Sequence, residues 1–152
     1  MKGNIVQVYL DNCCYNRPFD DQRYIRIAIE TQAKLYIQTL ITDRKIDLIW
    51  SYVVTFENEN NPYENKKVSI RNFSENAKII IEENKTILKE ANHFIAEKIK
   101  ETDALHLACA KYAKADYFIT TDDPLLNYKT SEIVVISPVG FVMAWEKGKR
   151  NE

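Results

Sequence analysis

Four short apolar runs, at residues 5–10, 46–50, 117–120 and 133–136, alternate with longer stretches whose apolar residues return at helical spacing. Each run has the length and the β-branched and aromatic content of a buried strand. Strands separated by helices form a mainly parallel sheet covered on both faces, because a parallel crossover needs a helix to carry the chain back. In such sheets ligands bind beyond the carboxyl ends of the strands. The residues just past each strand are therefore the first candidates for a site. The expected architecture is α/β, three layers, with four to five strands.

Between the runs, residues 12–21, with Asn16, Arg17 and Pro18, read as a loop, and Asp20 or Asp21 caps the next helix. Ile25, Ala28, Ile29, Gln32, Leu35, Tyr36 and Leu40 then mark one face of that helix, which is long and amphipathic. Ser51 is placed to cap a helix over 52–58, which Asn60, Asn61 and Pro62 break. The spacing predicts two charged helices over 63–81 and 84–100, packed antiparallel across a short turn. Thr102 is placed to cap a helix over 103–114, and Asp123 with Pro124 to open a short one. A partial helix over 138–145 closes a single domain spanning 1–146, and 147–152 read as a frayed tail.

Composition narrows the classes of function. A 152-residue chain that is 45% hydrophobic, with formal net charge −1, supports one real core and is not a disordered chain. Near-neutral charge excludes a protein that coats nucleic acid by bulk electrostatics, but not an enzyme that meets it at one charged site. Three cysteines, two of them adjacent (Cys13 and Cys14, with Cys109), make no disulfide framework and suit reduced thiols in a cytoplasm. The opening residues are too polar for a secretory signal. No apolar run is long enough to span a bilayer, so no membrane partner is expected.

Acids stand at the strand exits. Asp11 directly follows the first strand, Glu57 lies on the helix leaving the second, Asp103 opens a helix, and Asp122 lies just past the third run. Hard divalent cations prefer oxygen ligands, and a carboxylate cluster loaded with one can bind phosphate and activate water. Each residue also has a plainer reading. An aspartate in a helix first turn offsets the dipole, Asp11 can start a turn, and Glu57 can be surface charge. Spacing alone leaves these readings open.

At these positions a family resemblance emerges. The run Val8-Tyr9-Leu10-Asp11-Asn12-Cys13-Cys14-Tyr15-Asn16-Arg17-Pro18-Phe19-Asp20-Asp21-Gln22 resembles the opening of PIN-domain proteins, in particular a bacterial and archaeal subgroup with an Asn-Arg-Pro-Phe-Asp-Asp-Gln loop. Ser51 through Glu57, followed by Asn60-Asn61-Pro62, resembles the second-acid helix of that family. Thr102-Asp103-Ala104-Leu105-His106-Leu107-Ala108-Cys109-Ala110 resembles its third-acid helix, and Ala115-Asp116-Tyr117-Phe118-Ile119-Thr120-Thr121-Asp122 its last acidic strand end. The resemblance covers nearly the whole chain, in order.

The resemblance implies a Mg²⁺- or Mn²⁺-dependent endoribonuclease, including the VapC-like toxins of toxin–antitoxin pairs. Asp11, Glu57 and Asp103 match the three main acids and Asp122 the frequent fourth, as catalytic and metal-holding groups. Thr121 matches a residue that orients a carboxylate or water. Asn12 stands where relatives often carry Thr or Ser, and its amide can donate a hydrogen bond. The implied partners are an RNA substrate, a cognate antitoxin and a second copy of the chain. The implied products carry 5′-phosphate and 3′-hydroxyl ends. The competing readings are a DNA-directed Mg²⁺ nuclease and a degenerate, non-catalytic RNA- or protein-binding module.

Other residues keep two readings each. His106, one turn after Asp103, either lines the site or packs in its helix. Arg17 and Arg23 either grip phosphate or pair with Asp20 and Asp21. Cys13 and Cys14 read as small buried side chains, since nothing near in sequence would activate a thiol. Glu59 is the rival of Glu57. Asp123 is the rival of Asp122, and its place before Pro124 suits a cap. The lysines of the middle helices, among them Lys66, read as a solvated face, and Tyr24, Tyr36 and Tyr112 as core or dimer surface.

Overall fold

In a computed structural model that describes residues 5–150, the first strand, β1 (Gln7–Leu10), is the middle strand of the sheet. A short helix α1 (Asn12–Asn16) and a 3-10 turn (Arg17–Phe19) lead into α2 (Ile25–Thr42), which returns the chain to β2 (Asp47–Ser51). Helices α3 (Tyr52–Glu59) and α4 (Glu64–Phe73) lead outward to β3 (Ala77–Ile81). Then α5 (Lys85–Ala96) and α6 (Glu101–Tyr112), packed on each other, carry the chain back across the sheet to β4 (Tyr117–Ile119), on the other side of β1. A short α7 (Asp123–Leu126), β5 (Val135–Ile136) and α8 (Pro138–Arg150) complete the fold, with α8 against α2.

All strand pairs are parallel and the order is β3-β2-β1-β4-β5. The connections reverse direction at β1, so the crevice between the carboxyl ends of β1 and β4 is the topological switch point. The strands read as continuous apolar runs because both faces are covered. Val8, Tyr9, Leu10, Leu48, Ile49, Phe118 and Ile119 are fully buried. Tyr9 stacks on Phe118 across the β1–β4 pair, with ring centroids 5.4 Å apart. Gly140 lets α8 start tight against β5, since a Cβ there would stand 2.8 Å from Ile136 Cγ1.

The fold differs from the sequence reading in six places, of which one is the cap of α2: Tyr24 stands there, with no side-chain bond, in place of the expected Asp20 or Asp21. The expected long helix over 63–81 stops at Phe73, and after a 3-10 turn (Ser74–Asn76) residues Ala77–Ile81 form the edge strand β3. The apolar spacing across this stretch suits both periods, and the β-branched Ile79-Ile80-Ile81 run decides for strand once a parallel neighbour is available. The expected loop over 12–21 begins as a helix, because Asp11 caps it. Lys100 rather than Thr102 stands at the cap of α6, with no side-chain bond to it. Asp122 rather than Asp123 caps α7. Finally, α8 runs on to Arg150, into the segment expected as a tail.

Helices α2, α5 and α6 end alike, although the chain has only three glycines. Arg44, Lys98 and Lys114 take φ values of 61°, 72° and 59° just past the helix ends. In each case the next residue's N–H reaches five residues back: Lys45 to Leu40 O, Ile99 to Phe94 O, and Ala115 to Ala110 O. This is the Schellman arrangement, with a cation where glycine is usual. The left-handed backbone costs a side chain about 1 kcal/mol, offset in part by the cation's attraction to the helix carboxyl end. Lys114→Gly is therefore expected to raise stability by ~0.5–1 kcal/mol in urea unfolding. A variant that is less stable than the parent would mean the lysine charge outweighs the backbone cost.

Candidate active site

Each sequence-predicted acid is delivered by an element that ends at the carboxyl edge of the sheet. Asp11 follows β1, is 5% exposed, and caps α1 by accepting the Asn12 N–H at 2.8 Å through Oδ1. Its Oδ2 accepts the Thr120 hydroxyl at 2.8 Å. Asp122 caps α7, taking the Leu125 N–H at 3.3 Å, while its own N–H donates to Thr120 Oγ1 at 3.0 Å. A single buried hydroxyl, Thr120, thus links the two acids across the switch point. Glu57 projects from α3, whose first turn is capped by Ser51 Oγ accepting the Val54 N–H. Asp103 lies in the first turn of α6.

The sequence left the role of His106 open, and the structure places it at the centre. It is 1% exposed. Its Nε2 hydrogen-bonds Glu57 Oε1 and lies 3.6 Å from Asp11 Oδ1. Its Nδ1 bonds Tyr9 Oη at 2.6 Å, and that hydroxyl also bonds Ser51 Oγ at 2.6 Å. Burial holds the Tyr9 hydroxyl well above its ordinary pKa, so it stays protonated. For His106, burial works against the charged ring, but the carboxylates of Glu57, Asp11 and Asp103 prevail and its pKa is raised. One ligand atom from each of Asp11, Glu57 and His106 lies within 4.8 Å of the others. The partners of His106 are far away in sequence, so its only local signal was the one-turn offset from Asp103.

Asp103 and Asp122 stand outside that closest group but within its electric field. Burial first, then the charges of Asp11 and Asp122, push the Asp103 carboxyl up to about 6. Among the described residues, no lysine or arginine is paired with any of the four acids. Because Asp103 is raised in the folded chain, it holds a proton there that the unfolded chain releases at lower pH. Its contribution is thus fully favourable below about pH 4 and is lost as pH rises through about 6. In EDTA, the melting temperature of the parent relative to Asp103→Asn is expected to fall across that window. A pH-independent difference would show that the carboxyl is not crowded by charge.

The supporting residues differ in part from expectation. Thr120, not Thr121, orients the Asp11 carboxylate. The Thr121 hydroxyl instead accepts from Arg17 at 2.9 Å. Asn12 supports Asp11 through its backbone N–H. Arg17 is engaged structurally, 2.9 Å from both Asp20 and the buried Glu30, and Arg23 pairs with Asp21 in the open. Asp123 is held by Arg26, and Glu59 faces Lys67 and Arg71, so neither rival acid enters the cluster. Cys14 is buried, and Cys13 is half-buried, with its Sγ 3.5 Å from both Asp11 Oδ2 and Thr120 Oγ1. A cleft of about 540 Å³ beside Asp122 is lined by Tyr24, Arg17 and Arg26. A second, of about 340 Å³ beside Glu57, is lined by Asn12, Asn61, Tyr63 and Lys66. Among the described residues no helix is long and apolar enough to cross a membrane.

No family model and no curated protein sequence matches the chain. Solved structures do. The crystal structure of VapBC2 from Rickettsia felis, bound to a DNA fragment from its promoter, contains a chain that superposes with a TM-score of 0.57 at 12% identity, covering 87% of this chain and 98% of that one. DNA-bound VapBC from Salmonella typhimurium contains another, with a TM-score of 0.54 at 11% identity, covering 88% of this chain and 99% of that one. Likeness at this identity speaks for the fold. The five-stranded parallel sheet in the order β3-β2-β1-β4-β5, flanked by helices, is the α/β architecture of the PIN-like fold.

Proposed function

We propose that the chain is a divalent-metal-dependent endoribonuclease whose catalytic and metal-holding residues are Asp11, Glu57, Asp103 and Asp122. The observation that carries this reading is the meeting of the four acids at one sheet edge, where burial and the charges of Asp11 and Asp122 push Asp103 up to about 6 and where, among the described residues, His106 is the one basic side chain paired with any of them. Such a cluster fits a dication. Asp11 and Glu57 would hold the ion directly, while Asp103 and Asp122 would orient its waters. Mg²⁺ suits carboxylates and water, and Mn²⁺ accepts the same oxygen donors. A bound ion supplies Lewis acidity toward phosphate and water.

The chain's own residues do the rest. Thr120 fixes the Asp11 carboxylate and, through the Asp122 N–H, the turn that carries the fourth acid. His106, fastened by Tyr9, holds Glu57 and can take up or return a proton at Nε2. One cleft lies beside Asp122 and the other beside Glu57, and each carries an aromatic ring: Tyr24, near the ion-paired Arg17 and Arg26, on one, and Tyr63, near Lys66, on the other. A single strand laid along them meets ring faces on which bases stack, and a dication held at the acids would meet its phosphates. Both similar structures are VapBC assemblies. We extend that to a cognate antitoxin partner and a homodimer, for which exposed Ile25 and Ile29 on α2 and Met143 on α8 offer apolar surface.

Incubation of labelled single-stranded RNA with the protein and Mn²⁺ is expected to give internal cuts with 5′-phosphate ends, abolished by EDTA. Cleavage of DNA in preference to RNA would move the reading to a DNA nuclease. RNA binding without metal-dependent cleavage would move it to a non-catalytic module.

A further inference from the structure

At the amino-terminal edge of the sheet, at the far end of α6 from Asp103, three side chains converge on one point. His93 and Glu97 are four residues apart, on α5 and at its carboxyl cap, and Glu132 comes from the loop leading into β5. His93 Nε2 lies 3.2 Å from Glu97 Oε1 and 3.2 Å from Glu132 Oε2. The three atoms lie within 4.8 Å of one another. A tetrahedral zinc ion with bonds of roughly 2.0–2.1 Å has ligand-to-ligand edges of about 3.3 Å. Two edges of that figure are already drawn here.

Hydrogen bonding accounts for the cluster less well. One ring N–H serves one acceptor, and the hydrogen bond runs to Glu132, leaving the Glu97 oxygen at the same distance without one. The two carboxylates are also held from behind. Tyr128 Oη donates to Glu97 Oε2 at 2.5 Å, and Lys111 Nζ donates to Glu132 Oε1 at 2.7 Å. Each glutamate thus turns one oxygen toward His93 and has the other fixed by an outer donor, as the supporting residues of metal sites fix their ligands. His93 is about half exposed, at 48% of its side chain, so an ion reaches the point directly from solvent.

We propose that His93, Glu97 and Glu132 form a zinc-binding site, separate from the acidic cluster, that fastens α5 to the loop before β5. The nitrogen donor selects zinc over Mg²⁺, which prefers oxygen throughout. The site needs three protein ligands and leaves a position for water.

The chain has two histidines, so a long-range ¹H–¹⁵N spectrum of the imidazole rings resolves both. One equivalent of Zn²⁺ is expected to shift the His93 Nε2 resonance, in the parent and in Asp11→Asn, while Mg²⁺ in large excess leaves it in place. Glu132→Gln and Glu97→Gln, both on the surface, are each expected to weaken zinc binding by about tenfold or more. The proposal is overturned if zinc moves only the His106 resonance. It is equally overturned if Glu132→Gln binds zinc as tightly as the parent.

Discussion

Asp11→Asn is expected to lower metal-dependent RNA cleavage by on the order of a thousandfold, equivalent to about 4 kcal/mol of transition-state stabilisation. The same change is expected to leave the metal-free chain at least as stable as the parent. Asn keeps an oxygen for the Asn12 N–H, and its amide can meet Thr120, whose hydroxyl rotates to accept. Removing one charge also relieves the crowding felt by Asp103. Activity and melting temperature should therefore move in opposite directions in EDTA-treated protein. A variant that cuts RNA like the parent sinks the proposed site. A variant that melts far lower would trace the lost activity to unfolding instead.

The second large effect is expected away from the acids, at Glu30. This carboxylate is 5% exposed and lies 2.9 Å from Arg17 Nε and 3.2 Å from Arg26 Nε. The two guanidiniums reach on to Asp20 and Thr121, and to Asp123 and the Thr121 carbonyl. Glu30 is the hub that ties the Asn-Arg-Pro turn and the turn after β4 to α2. Removing one partner of a buried charge network leaves the others uncompensated, at a cost of about 3–5 kcal/mol. Glu30→Gln is expected to cost about 3 kcal/mol and lower the melting temperature by roughly 10 °C. Because Thr121 precedes Asp122, cleavage per folded molecule should fall as well. A melt within about 1 °C of the parent would show that the network contributes nothing measurable.

The parts of the fold legible in the sequence were those decided locally. The strands β1, β2, β4 and β5 are short apolar runs bounded by breakers, and their alternation with helices implied a parallel sheet. The strand β3 was not legible, because Ala77–Ile81 follows a helix without a proline or glycine to mark the change, and its strand state depends on pairing with β2. The acids were legible because a parallel sheet directs strand exits to one edge. The residues that position them were not. Tyr9 lies inside an apolar strand and looks like core until Ser51 and His106 arrive from far along the chain. Thr120 and Thr121 are chemically alike, and only the direction of the last strand residue decides which hydroxyl faces Asp11. The choice of Asp122 over Asp123 as the α7 cap was likewise settled by a distant partner, Arg26, which holds Asp123 aside.

The position of β1 has a consequence for synthesis. Of the five strands of this sheet it is made first and stands in the middle, and its β4 edge is filled only by residues that emerge more than a hundred positions later, as the 109-residue separation of Asp11 from Thr120 shows. Until then a growing chain keeps a bare strand edge, and Asp11 lacks the hydroxyl that aims it. The acids come together only after the segment that carries Thr120 and Asp122 has been made. For a protein proposed to cut RNA, that order of events means that a copy truncated before Thr120 would lack the site.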